Sequence, residues 1–181
     1  MSKRAHKWGE LLMLSPVLTS RSVDKLLELP CPSWSPQTLD GLTFAELVVL
    51  QKCKGYEALA LAVCQVLFDK TEAEVMRMRA ADVAGVTNMA MRELERIAKL
   101  FQSCKVEPLP IEQRAVPPVG DWFSMVDWYA RRMGYVDHNA ASEVRWVYYY
   151  RCAYIDAEAN KYERRLMKLR EEELKSKQKK R

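Results

Sequence analysis

Leu42-Thr43-Phe44-Ala45-Glu46-Leu47 encodes a helix start in six residues. The Thr43 hydroxyl is spaced to accept from the Glu46 N–H while the Glu46 carboxylate reaches back to the Thr43 N–H, and Leu42 and Leu47 hold the flanking staple positions. A helix is therefore expected from Thr43, carried by Leu47, Leu50 and Gln51 and ended by a left-handed Gly55. The same device recurs at Thr71-Glu72-Ala73-Glu74, opening a short helix through Val75, Met76 and Met78. Between them, Tyr56 to Phe68 presents Leu59, Val63, Val66 and Leu67 on one apolar face. Asp82 is a candidate cap for the next stretch, and from about Val86 to Ser103 the residues Val86, Ala90, Leu94, Ile97, Leu100 and Phe101 recur at helical spacing. Residues 38–103 thus read as a compact bundle of short helices.

Upstream, residues 1–37 read as an irregular basic arm: one helical turn near Leu11, a short helical piece from Val23 to Leu29 ended by Pro30, and an extended connector around Pro32 and Pro36. Downstream, Pro108, Pro110, Pro117 and Pro118 make 104–120 a linker. Over 121–181, Asp121 caps a helix bearing Trp122, Met125, Val126, Tyr129 and Met133, closed at Gly134. A last helix is expected from about Ala140 to near Lys175, about 50 Å long at 1.5 Å per residue, so that its distal half projects. No segment reads as a strand, and the expected class is all-α.

Composition fits a folded chain, with 49% hydrophobic and 29% charged residues among 181. The formal charge of +5 is unevenly placed. Residues 161–181 carry ten Lys and Arg against four Glu, a net of +6, which leaves nineteen basic and twenty acidic residues elsewhere. The body is close to neutral and the end is a cationic arm, suited to a polyanion and most simply to nucleic acid. Five widely spaced cysteines without a C-x-x-C pair read as reduced, mostly buried thiols. The apolar run Leu11 to Leu14 is too short for a signal peptide, and no stretch reaches the roughly 20 apolar residues of a membrane span. A soluble, intracellular-type protein with no membrane partner is the expectation.

Catalytic chemistry has little foothold in the sequence. The two histidines, His6 near the terminus and His138 in a turn, lack the neighbours of a triad or a zinc site. Six glycines form no phosphate-cradling loop. Asp121 and Asp127 are available carboxylates, of which Asp121 reads better as a cap. No enzyme, metal or cofactor is expected.

What remains is binding. Trp122, Trp128, Trp146, Tyr148, Tyr149, Tyr150 and Tyr154 form the densest aromatic cluster. Three consecutive tyrosines on a helix point in different directions, so some face a partner while others cover a helix junction. The candidate partner-binding residues are Tyr149, Tyr150, Tyr154, Tyr162, Arg164, Arg165 and Lys168. The repeat of the last helix is interrupted at Arg151 and fades after Leu169, which weighs against a self-made coiled coil.

Two stretches carry family resemblances. Ala84-Gly85-Val86-Thr87-Asn88-Met89-Ala90-Met91-Arg92-Glu93-Leu94 resembles the turn and second helix of bacterial helix-turn-helix regulators, within residues 75–94. That likeness implies Thr87, Asn88 and Arg92 in the major groove, against the competing reading of a structural helix corner. The second is longer. Leu39 to Leu47, Thr71 to Val75 and Asp127-Trp128-Tyr129-Ala130-Arg131-Arg132-Met133-Gly134-Tyr135 resemble the helical layout of small tailed-phage virion and tail-assembly proteins. This resemblance implies a tail, neck or capsid-interior component or an assembly chaperone, located in the host cytoplasm or the virion, whose partners are other virion or assembly proteins in a larger oligomer.

Overall fold

The computed structural model describes residues 6–13, 25–106 and 121–179. Of the described residues 74% are helical and none lies in a strand, so the fold is all-α. The helices are α1 (Trp8–Met13), α2 (Phe44–Lys52), α3 (Tyr56–Phe68), α4 (Glu72–Val75), α5 (Ala80–Ser103), α6 (Trp122–Met133), α7 (His138–Ser142) and α8 (Trp146–Lys179), with residues 25–27 also helical. They divide into two units, Met1–Ile97 and Ala98–Arg181. The division falls inside α5, upstream of the expected proline-rich linker, of which 107–120 lies outside the described residues.

In the first unit both capping boxes form. Glu46 N donates to Thr43 Oγ1 and Thr43 N to the Glu46 carboxylate, and Thr71 and Glu74 repeat the exchange. Leu42 and Leu47 are both buried, as a staple requires. Gly55 does take a positive φ of 90°, but it precedes α3 and does not close α2, which ends at Cys53 in extended backbone.

The amino-terminal segment, expected as an irregular basic arm with one helical turn near Leu11, forms α1 there and is anchored to the body of the unit. Trp8 N donates to Met78 O, Gly9 N to Met76 O and Ala80 N to His6 O, so backbone bonds pin the segment to the chain around 76–80. The Trp8 ring is 1% exposed and packs among Ala60, Cys64, Val75, Val83 and Ala84. A tryptophan buries more apolar surface than any other side chain, which outweighs the local basic character that made this segment look unanchored.

Helix α5 is longer than its apolar repeat indicated, starting at Ala80 with Asp82 in its first turn. It runs unbroken through Ala84 and Gly85. Glycine is required at 85 because a Cβ there would lie 2.1 Å from Pro30 O. The segment after residue 25 is held across this surface by Asn88, whose Nδ2 donates to Leu26 O and Leu29 O at 2.8 and 3.1 Å. Its Oδ1 accepts from Tyr56 at 2.9 Å. Burial holds the Tyr56 hydroxyl protonated, its pKa pushed up to about 12. Farther along α5, Glu93 accepts from Leu39 N and pairs with Arg96, which also binds Asp40.

All five cysteines are free, but only Cys64 is buried and the other four are half-buried. Burial raises the Cys64 pKa to about 11, which keeps it a thiol. None of the described helices is long and apolar enough to cross a membrane.

Candidate interaction surface

In the second unit Asp121 accepts from Ser124 N and so caps α6, and Gly134 closes it with a left-handed φ of 75°. The expected single rod from Ala140 is interrupted. Asp137 caps the short helix α7, where Ala140 lies, and α8 begins only at Trp146. The break serves packing: the Tyr149 hydroxyl donates to Ala141 O at 2.7 Å, and its ring stacks on Tyr129 with centroids 3.9 Å apart. Trp146, Tyr149 and Ala157, spaced three and eight residues apart, define the buried face of α8. Phe101 packs tilted against Trp146 and edge-on against Tyr150, and Arg132 of α6 pairs with Asp156.

His138 is the first residue of α7, not a turn residue. Its Nε2 lies 3.0 Å from Asp127, which also pairs with Arg131, and its ring rests on Phe123. The hydrogen bond with His138, reinforced by Arg131, holds the Asp127 carboxyl below its ordinary range. Among the described residues no serine, threonine or cysteine hydrogen-bonds the His138 ring, and no group of three or more His, Cys, Asp or Glu is placed to hold a metal. The pair ties α6 to α7.

The candidate residues separate by face. Tyr149 is fully buried and cannot meet a partner, because its ring completes the stack with Tyr129. Tyr150 is half-buried against Phe101 and Tyr154, and Arg164 is half-buried as well. Tyr154 and Tyr162 are 48% and 66% exposed, and Arg165 and Lys168 are exposed. The sequence reading missed Ile155, Met167, Leu169 and Leu174, all more than half exposed, and chose the wrong member of the Tyr148-Tyr149 pair to face solvent. The signal lay in two competing stripes on one helix, and contacts with Ala141, Tyr129, Phe101 and Arg132 determine which stripe is covered.

The groove-reading set fares differently. Thr87 and Asn88 are buried, Thr87 bonding Val83 O and Asn88 holding Leu26 and Leu29, while Arg92 alone is exposed. With α5 continuous where a turn was expected, Thr87 and Asn88 cannot reach a base edge in this conformation.

No known protein family, curated protein or solved structure matches this chain.

Proposed function

We propose that this chain is a non-enzymatic structural or assembly protein of a phage particle that joins larger assemblies through the outer face of α8. One observation carries the reading. From Tyr154 to Leu174 the helix exposes large apolar side chains interleaved with basic ones, including Ile155, Tyr162, Met167 and Leu169. An exposed apolar stripe of that length is unfavourable in water and is characteristic of a surface that is covered in use. Tyrosine and arginine suit such a surface because they supply large contact area or forked hydrogen bonds at modest entropic cost. The phage assignment rests on the sequence resemblance, and the docking role on the exposure of α8. Beyond Leu169 the basic residues of 170–181 supply a site for polyanion contact, nucleic acid included.

The test is a chain ended after Glu158, which keeps the Tyr149 packing, with Tyr154 and Ile155, and removes the rest of the exposed stripe from Tyr162 onward. It should retain its helical signal and thermal transition yet fail to sediment with particles that incorporate the full-length chain. Equal incorporation of both forms would place the docking surface elsewhere, and absence of the full-length protein from purified particles and from assembly intermediates alike would remove the phage assignment.

A further inference from the structure

The outer face of α8 repeats with a period of seven. Cys152, Ile155, Ala159, Tyr162, Leu166 and Leu169 follow one another at alternating spacings of three and four, the a and d positions of a heptad. They form a continuous stripe about 27 Å long at 1.5 Å per residue. The seam is open from Ile155 onward: Ile155, Tyr162 and Leu169 are 57%, 66% and 58% exposed, Ala159 is exposed and Leu166 half-buried, while Cys152 at its near edge is half-buried beside Arg132 and Tyr129 of α6. At about 100° per residue this stripe lies largely on the opposite side of the helix from Trp146 and Ala157, so α8 carries one seam for its own chain and another left open. Arg151 does not interrupt the open seam. It occupies a flanking position, with its guanidinium over the Tyr148 ring.

We infer that the open seam of α8 pairs with the same seam of a second copy of this chain, running antiparallel about a twofold axis between Ala159 and Tyr162. This partner is a specific case of the docking role proposed above and rests on that reading of α8. Antiparallel pairing sets Cys152 opposite Leu169 of the second copy, Ile155 opposite Leu166 and Ala159 opposite Tyr162, each layer occurring twice by symmetry. Small faces large at Ala159 and Tyr162. A parallel pair would instead set two tyrosines against each other in one layer and two alanines in the next, leaving one overfilled and one underfilled.

The flanking charges choose the same orientation. In the antiparallel pair Glu158, which also holds Lys161 of its own chain, meets Arg165, and Arg151 meets Glu172, so all four symmetry-related contacts on that flank are attractive. On the other flank Asp156 faces Glu163, a like pair, but Asp156 is already neutralised by Arg132 of its own chain. In the parallel pair Glu158 would meet Glu163 and Arg165 would meet Arg170, two repulsions that cancel the attractions of Arg151 with Asp156 and Glu172 with Lys177.

Sedimentation equilibrium of the full-length chain is the test. A reversible monomer–dimer equilibrium in the micromolar range is expected, and Ile155→Asp should abolish it while leaving the circular dichroism unchanged, because Ile155 is exposed in the monomer. Glu158→Arg should weaken the dimer roughly tenfold by turning two attractions into repulsions, and adding Arg165→Glu should restore it. Parallel pairing responds in the opposite sense, since Glu158→Arg would then relieve a repulsion and tighten the dimer; that result overturns the orientation. A chain monomeric at all concentrations overturns the pairing itself. If such a monomer still enters particles through residues 159–181, the docking role stands without self-association. A dimer whose truncated form still enters particles leaves the pairing intact and removes the docking role.

Discussion

Tyr149 lies face to face with Tyr129, their ring centroids 3.9 Å apart and their planes within 17°, and the Tyr149 hydroxyl donates to Ala141 O at 2.7 Å. One side chain therefore joins α6, α7 and α8, and burial raises its phenol pKa well above the ordinary value. Tyr149→Phe keeps the stack but removes one of the hydrogen bonds to the Ala141 carbonyl, which still accepts from Val144 N, a loss of about 1 kcal/mol. Tyr149→Ala removes the ring as well and should cost about 3 to 5 kcal/mol. Denaturant unfolding followed by circular dichroism reads both. A cost near zero for Tyr149→Ala would mean that the ring is not buried in solution.

Asn88 should behave as a structural residue. Its amide donates to two carbonyls of the Leu26–Leu29 stretch and accepts from Tyr56. Asn88→Ala leaves three buried or half-buried partners without it, and the expected loss is about 2 to 4 kcal/mol. Arg92→Ala, at an exposed position of the same helix, should stay within about 0.5 kcal/mol of the native chain. Thermal melts of the two variants side by side decide the matter, since a groove-reading helix would tolerate both changes in the absence of DNA.

The sequence resolved what was local. Both capping boxes, the span of Tyr56 to Phe68 and the bounds of α6 were legible because the hydrogen bonds that set them run between residues three or four apart. What escaped depended on distant partners. The anchoring of Trp8 requires the 76–80 backbone, and the break at 143–145 is fixed by where Tyr149 finds an acceptor. Ala84-Gly85 resembled a turn because small residues serve turns and close packing alike, and only the approach of Pro30 shows which applies here. The exposed stripe was visible as a set of apolar residues, but the assignment of Tyr149 to it failed because three adjacent tyrosines leave the choice of inner face open.

Gly85→Ala tests that close approach directly. The added methyl would sit 2.1 Å from a backbone oxygen of Pro30, which no rotamer change relieves, and Pro32 Cδ would be only 3.3 Å away. Either the 30–32 segment lifts from α5 or the helix shifts, so a loss of about 3 kcal/mol is expected. Hydrogen exchange should show the change spreading to the amides around Leu29. Native stability in the Gly85→Ala variant would place Pro30 elsewhere.

The Thr71–Glu74 box gives the first unit a dependence on acid. The Glu74 carboxylate accepts from Thr71 N at 2.8 Å and from its hydroxyl, and pairs with Lys70 at 3.3 Å. These bonds, the backbone one foremost, lower its pKa from 4.5 to about 2. A depressed carboxyl stabilises the folded state at pH above its unfolded value, and that contribution drains away as pH falls through 4.5 toward 2. Glu74→Gln should therefore flatten the decline in melting temperature across this window while lowering stability at neutral pH. The carboxyl resonance of Glu74 should titrate near the lower limit of the window; a midpoint in the ordinary glutamate range would mean that the box is open in solution and that α4 starts without it.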